Sequence, residues 1–228
     1  MNTTRKVGVI HTSPATIELF ARLIKERMPD TCLINLLDDS ILPELRDNGG
    51  DLAAIEPRWR NYVRIMSERG VDLVLNACSS IGELCARAQP EIPQPIVRVD
   101  AGMAREAVAR GPRVSVLATV NTTLKPTCDL LQKTAREQNR TITLDGFLVE
   151  GAYAALMQGD QTRHDDLIAS ALDAAARSNN VVVLAQASMA RVLPRLEASL
   201  QTKVLSSPPF AVNEVVDKLQ AQGLAPSV

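Results

Sequence analysis

Short apolar runs bounded by turn residues alternate with longer helical patterns along this whole chain, and that alternation limits what it can become. The runs predict strands at Val7–Ile10, Cys32–Leu36, Val71–Leu75, Ile96–Val99, Val114–Leu117, Thr141–Leu144, Val181–Leu184 and Lys203–Leu205. Between them, helical spacing predicts helices at Ala15–Arg27, Glu56–Arg69, Ile81–Gln89, Ala101–Ala109, Thr123–Gln138, Gly151–Gln158, Asp165–Ser178, Met189–Ser199 and Ala211–Gln222. Strand and helix repeated in this order argue for parallel sheets joined by right-handed crossovers. Aromatic residues are only 3% of the chain, so the core must be built from Val, Leu, Ile and Ala. That mix suits strands covered by helices on both faces.

A repeat is hidden in the pattern. Shifting the sequence by 108 residues lays Val7–Ile10 on Ser115–Ala118, Leu33–Leu36 on Thr141–Leu144, Val71–Leu75 on Asn179–Val183, and Ile96 on Val204. Identity is low, so the pattern repeats rather than the letters. Regular element lengths give partial self-matches by chance, but four strands in one register favour duplication. The expected architecture is α/β, with two pseudo-symmetric halves and the active site in the cleft between them. The expected boundaries are residues 1–100 with 208–228 for the first half and 101–207 for the second.

Composition excludes several function classes. The 228 residues carry a net charge of −1 with both signs scattered, unlike the basic footprint of a nucleic-acid binder. The apolar runs are far too short to span a membrane. The segment from Met1 to Lys6 is polar and lacks the apolar stretch of a signal peptide, so a cytoplasmic location is expected. The four cysteines, Cys32, Cys78, Cys85 and Cys128, show no metal or disulfide spacing and read as free thiols. Cys32 and Cys85 in apolar contexts, and Cys128 on a helix, read as inert packing groups. No metal cluster, phosphate loop or dinucleotide fingerprint is present, so no cofactor is expected.

In open α/β sheets, ligands bind beyond the carboxyl ends of the strands. Four loops fall there: His11-Thr12-Ser13-Pro14, Asn76-Ala77-Cys78-Ser79-Ser80, Thr119-Val120-Asn121-Thr122-Thr123 and Ala185-Gln186-Ala187-Ser188. All are small, polar and rich in hydroxyls, and suit a small anion held by amides and hydroxyls. Cys78 stands out among the thiols. Ser80 and Glu83 have the spacing of a capping box, which would set Cys78 within two residues of a helix N-terminus and lower its pKa. A small residue in a tight strand-to-helix turn explains Cys78 equally well, and Glu83 reads as a cap rather than a catalytic acid. The same shift takes Cys78 to Gln186 and Ser80 to Ser188.

At these residues the chain resembles the aspartate/glutamate racemase superfamily, which includes aspartate, glutamate and hydantoin racemases, maleate cis–trans isomerase and arylmalonate decarboxylase. The resemblance covers essentially the whole chain. Its marks are Asn76-Ala77-Cys78-Ser79-Ser80, Ile92-Pro93 with Ile96-Val97-Arg98-Val99-Asp100, Val116-Leu117-Ala118-Thr119 with Thr122, and Val183-Leu184-Ala185-Gln186-Ala187-Ser188-Met189. It implies two α/β halves with the active site between them, and a last helix that returns to the first half after a break at Pro208-Pro209.

Racemases of that group use two cysteines as acid and base on opposite faces of a carbon next to a carboxylate. Cys78 matches the first, whereas Gln186 stands where the second is expected and cannot transfer protons at neutral pH. Decarboxylases of the group keep one thiol, in the second half; this chain keeps the other. The resemblance further implies that Thr12, Asn76, Ser79, Thr119, Thr122 and Ser188, with His11, Ser80 and Ala187 in the same loops, bind a carboxylate or hold an enolate-like intermediate. His11 has the pKa for a base but reads more readily as a polar binding group. His164 reads as a solvated residue at a helix start.

The leading reading is a cofactor-independent isomerase or racemase-like enzyme acting on a small carboxylate, an organic acid or amino acid. Cys78 would be base or nucleophile, with Gln186 holding the substrate. A single-cysteine lyase is the alternative, and a carboxylate-binding protein without turnover is a third reading. Arg58, Arg60, Arg98 and Arg113 are candidate carboxylate partners. Helix faces rich in Ala and Leu allow a homo-oligomer without demanding one.

Overall fold

Val, Leu and Ile fill the central strands because those strands lose water on both faces at once. In the computed structural model, which describes residues 4–178 and 181–223, eight strands form two separate four-stranded parallel sheets. The strands are β1 (Lys6–His11), β2 (Cys32–Leu37), β3 (Leu73–Asn76), β4 (Ile96–Arg98), β5 (Arg113–Ala118), β6 (Thr143–Leu148), β7 (Val181–Leu184) and β8 (Val204–Ser206). Their orders are β2-β1-β3-β4 and β6-β5-β7-β8, the same topology twice. The fold class is therefore α/β, with two parallel-sheet halves. The chain divides into two compact units, Met1–Val99 with Pro208–Val228, and Asp100–Ser207.

In the first unit the helix Glu56–Glu68 lays Trp59, Val63 and Met66 into a core with Ile10 and Val74 of the sheet. Gly8 makes room for this: a Cβ there would lie 2.9 Å from Met66 Sδ and 3.3 Å from Val71 Cγ1. In the second unit the helix Gln161–Ser178 sets Ile168, Leu172 and Ala175 against Leu117, Val182 and Leu184. Ser115, the counterpart of Gly8, is buried there and its hydroxyl donates to the Ala175 carbonyl at 3.3 Å. Both positions are small because a helix passes close to the central strand.

The register corrects the uniform shift of 108. Leu73 pairs with Val7 where Val181 pairs with Val114, so the third strands are 108 apart but the first strands only 107. A one-residue slip turns every side chain to the other face of a sheet, which is why the pairing is decisive. The second strands differ more: Lys6 pairs with Cys32 and Arg113 with Thr143, so Cys32 corresponds to Thr143 rather than to Arg140. The helix before β6, Asn121–Glu137, is longer than Ile17–Arg27 before β2, and the connection absorbs the difference. The part of the expected overlay that falls on Asn179 and Asn180 lies outside the described residues.

Proline explains most boundary differences. The expected helix Ile81–Gln89 is a 3-10 turn Ser79–Ile81, a helix Leu84–Ala88 and a second turn Gln89–Glu91 carrying Pro90. Ala187–Arg195 is in 3-10 form with Pro194 near its end, followed by a short helix Ala198–Gln201. Pro208 and Pro209 do not break the chain but lie in the first turn of the helix Ser207–Ala221, where their missing N–H groups would be unbonded anyway. That helix belongs to the first unit from Pro208 on, and Asn213 accepts from Arg27 at 2.7 Å. The helix Ile41–Asp47 was not anticipated.

Candidate functional site

In the first sheet, β1 and β3 end side by side, and the Ala77 amide still donates to the Ile10 carbonyl at 2.9 Å. The next residue, Cys78, keeps an extended backbone and stands at the N-cap of the turn Ser79–Ile81. The thiol is buried, 7% exposed, among Thr12, Asn76, Ser79 and Ser80, which are buried as well. Four donors surround its sulfur: the Thr12 and Ser80 hydroxyls and the Ser80 and Ile81 amides. The Asn76 amide donates to the Cys78 carbonyl at 2.9 Å, while Asn76 Oδ1 is buried without a hydrogen-bond partner.

The thiol's acidity corrects the expectation from the sequence. Burial pushes Cys78 above the ordinary cysteine range, and the four donors, which favour thiolate, offset that only in part. Nor does the capping box form. Glu83 itself stands at the N-cap of Leu84–Ala88, and its carboxylate pairs with Arg87. The amides at the head of the turn point at sulfur instead.

The second sheet repeats the plan with different chemistry. The Ala185 amide donates to the Leu117 carbonyl at 2.8 Å, and Gln186 is the extended N-cap residue of the turn Ala187–Arg195. Gln186 therefore holds the backbone position that Cys78 holds in the first sheet. The Thr119 amide donates to Gln186 Oε1 at 2.7 Å, and Gln186 Nε2 donates to Thr119 Oγ1 at 2.8 Å. Thr119 and Ala187 are buried, whereas Thr122 and Ser188 are half-buried.

A model of the family described as Asp/Glu/Hydantoin racemase matches residues 5–215. The chain belongs to that family. Solved structures of family racemases share its fold. A glutamate racemase of Bacillus anthracis is 14% identical with a TM-score of 0.77, covering 100% of this chain and 85% of that one. An aspartate racemase of Picrophilus torridus is 11% identical, with a TM-score of 0.70 and coverage of 96% and 94%. An allantoin racemase of Klebsiella pneumoniae is 20% identical, with a TM-score of 0.67 and coverage of 98% and 91%. Among curated protein sequences no match is found.

Within this racemase-family fold, several candidate residues have protein partners of their own. His11 ends β1 fully buried, with Nδ1 2.7 Å from Thr16 Oγ1 and Nε2 3.0 Å from Asn35 Oδ1. Both ring nitrogens thus have protein partners. Burial lowers its pKa, with the Asn35 contact opposing. His164 is not solvated but fully buried, with Nδ1 2.8 Å from Asp165 Oδ1. Asp165 also accepts from Arg191 Nε at 3.0 Å, tying the helix Gln161–Ser178 to the turn that follows Gln186.

The arginines separate by position. Arg58 is engaged by Asp38 and Glu44, Arg60 by Glu56 and Glu91. Arg113 opens β5, at the opposite end of that strand from the Thr119 loop. Arg98 ends β4 beside Asn76 and so reaches the same sheet end as Cys78. Cys32 is exposed at the start of an edge strand rather than buried, Cys85 is buried and Cys128 half-buried.

Sequence reasoning missed the cluster after β2, where Asp38 accepts from Tyr62 at 2.8 Å and from Ser40 Oγ at 2.5 Å. Burial pushes its carboxyl up, but hydrogen bonds from Ser40 and Tyr62 and the charge of Arg58 outweigh that and hold it low. Asp-Asp-Ser after a strand is a turn signal, but nothing local reveals Tyr62 as the partner. Among the described residues no three His, Cys, Asp or Glu side chains gather as a metal site requires. None of the described helices is long and apolar enough to cross a membrane.

Proposed function

We propose that this chain is a racemase-type isomerase acting, without a cofactor, at the carbon next to the carboxylate of a small organic acid or amino acid, with Cys78 as its single proton-transferring thiol. The observation that carries this reading is the set of four donors around the Cys78 sulfur at the carboxyl end of its sheet. The four donors favour the thiolate that proton removal requires, and burial favours its return to the neutral form. As thiolate it takes the α-proton and becomes a thiol. The electron pair of the broken C–H bond moves into the carboxyl group to give an enediolate, and the thiol then gives the proton back. Ser79 and Asn76, close to Cys78 in the same unit, supply hydroxyl and N–H donors for the carboxylate and the charge that develops on it.

Gln186 donates a hydrogen bond in this reading and moves no proton. One of its amide hydrogens goes to Thr119, and the other remains for substrate. Cys78 thereby serves one face of the site, and inversion follows when the planar enediolate turns its opposite face to the thiol before the proton returns. Its raised pKa also favours a second reading, a lyase in which the neutral thiol protonates a carbanion left by departing carbon dioxide.

Incubation with a panel of small carboxylates in heavy water tests the proposal. Deuterium should enter the α-position of at least one compound with wild-type protein and not with Cys78→Ala. Exchange that survives in Cys78→Ala would sink the thiol mechanism. Carbon dioxide release without exchange would move the assignment to the lyase.

A further inference from the structure

Gly82 ends the turn that begins at Cys78, with an ordinary right-handed backbone that any residue could adopt. Its lack of a side chain is needed for space. A Cβ there would lie 2.4 Å from Arg98 Nε, 2.6 Å from Cζ and 2.9 Å from Nη2. The guanidinium thus rests directly on the Gly82 backbone. Arg98 is half-buried and pairs across the sheet with Asn76, whose side chain holds the Cys78 carbonyl. The same arginine therefore stands beside the strand from which the Cys78 loop departs and against the residue where its turn finishes.

We propose that Arg98 is a positioning residue for Cys78: its guanidinium, lying across Gly82, fixes the Ser79–Gly82 turn and so keeps the Ser80 and Ile81 amides aimed at the sulfur. The flat, forked guanidinium can pack face-on against backbone, whereas the compact ammonium of lysine cannot. The proposal rests on Cys78 being the working thiol, but it concerns how the turn is held and needs no substrate to be tested.

The test follows the pH dependence of iodoacetamide alkylation at Cys78, resolved from Cys32, Cys85 and Cys128 by peptide mass spectrometry, in wild type, Arg98→Ala, Arg98→Lys and Gly82→Ala. In Arg98→Ala the Cys78 pKa should rise by about one unit, cutting thiolate at a given pH about tenfold. Arg98→Lys should behave like Arg98→Ala, and Gly82→Ala, whose new methyl displaces the guanidinium, should do the same. Arg98→Met keeps the aliphatic stem and replaces Arg98→Ala if that variant does not fold. An unchanged profile, even with a lowered melting temperature, would overturn the proposal, because a merely structural role moves stability and leaves the thiol alone. Full recovery in Arg98→Lys would also overturn it, since charge rather than packing would then be responsible. Failure of α-proton exchange with a normal Arg98 response would count against the function and leave this assignment standing.

Discussion

Gln186 and Thr119 hold each other by two reciprocal hydrogen bonds of 2.7 and 2.8 Å, in the place where the first sheet sets Cys78 against Thr12. The threonine is common to both halves and only its partner differs. A carboxamide locked to a backbone amide is a fixed donor and has no titratable proton to give.

Gln186→Cys should therefore supply what the second half lacks. A thiol there can accept or give a proton, and inversion of an enantiopure substrate should accelerate by at least about tenfold, the low side of what a positioned acid or base contributes. Chiral chromatography of the product reads this. Unchanged inversion, with the variant folded, would show that Gln186 is not placed to act on the substrate carbon.

The Cys78 thiol, pushed up by burial, should give exchange rates that climb with pH through and beyond the ordinary cysteine pKa of about 8.5. Ser80→Ala removes one of the hydroxyl donors and should move the midpoint further up. The sign for stability follows: above about pH 8.5 the unfolded chain releases the thiol proton while the folded one keeps it, so stability falls as pH rises. Denaturant titrations at pH 8 and 10 should show a smaller alkaline loss in Cys78→Ala than in wild type.

His11 works in the opposite direction. Its folded pKa is lowered, so below about pH 6.5 the unfolded chain binds a proton that the folded one refuses, and stability declines as pH falls, by up to about 1.4 kcal/mol per pH unit. In His11→Gln that acid slope should flatten, while stability near neutral pH drops by about 1–3 kcal/mol through disturbed buried hydrogen bonds. Denaturant midpoints between pH 5 and 7 check both.

Much of the fold was legible because strand cores such as Val7–Ile10 and Val181–Leu184 are unbroken apolar runs, and such runs follow from burial on both faces. The repeat was legible for the same reason, but its register was not. Pairing of Val114 with Val181 is a tertiary fact, and a shift of 107 or 108 reads almost alike in letters. Cys78 and Gln186 were found because they follow the third strand of each sheet by the same two residues. Their hydrogen-bond partners were not. The burial of His11, and the closeness of Arg98 to Gly82, depend on residues that are distant in sequence. Thiol acidity was misread because helix-terminus amides are visible in a sequence and desolvation is not.

The most direct test of the single-thiol account compares two rates in one sample: deuterium entry into an enantiopure substrate and loss of its configuration, both followed by NMR and chiral chromatography in heavy water. The account predicts that deuterium enters well before configuration is lost, since Cys78 removes and returns the proton on one face. Inversion that keeps pace with deuterium entry from the first turnovers would contradict it, because a second acid or base would then be serving the opposite face.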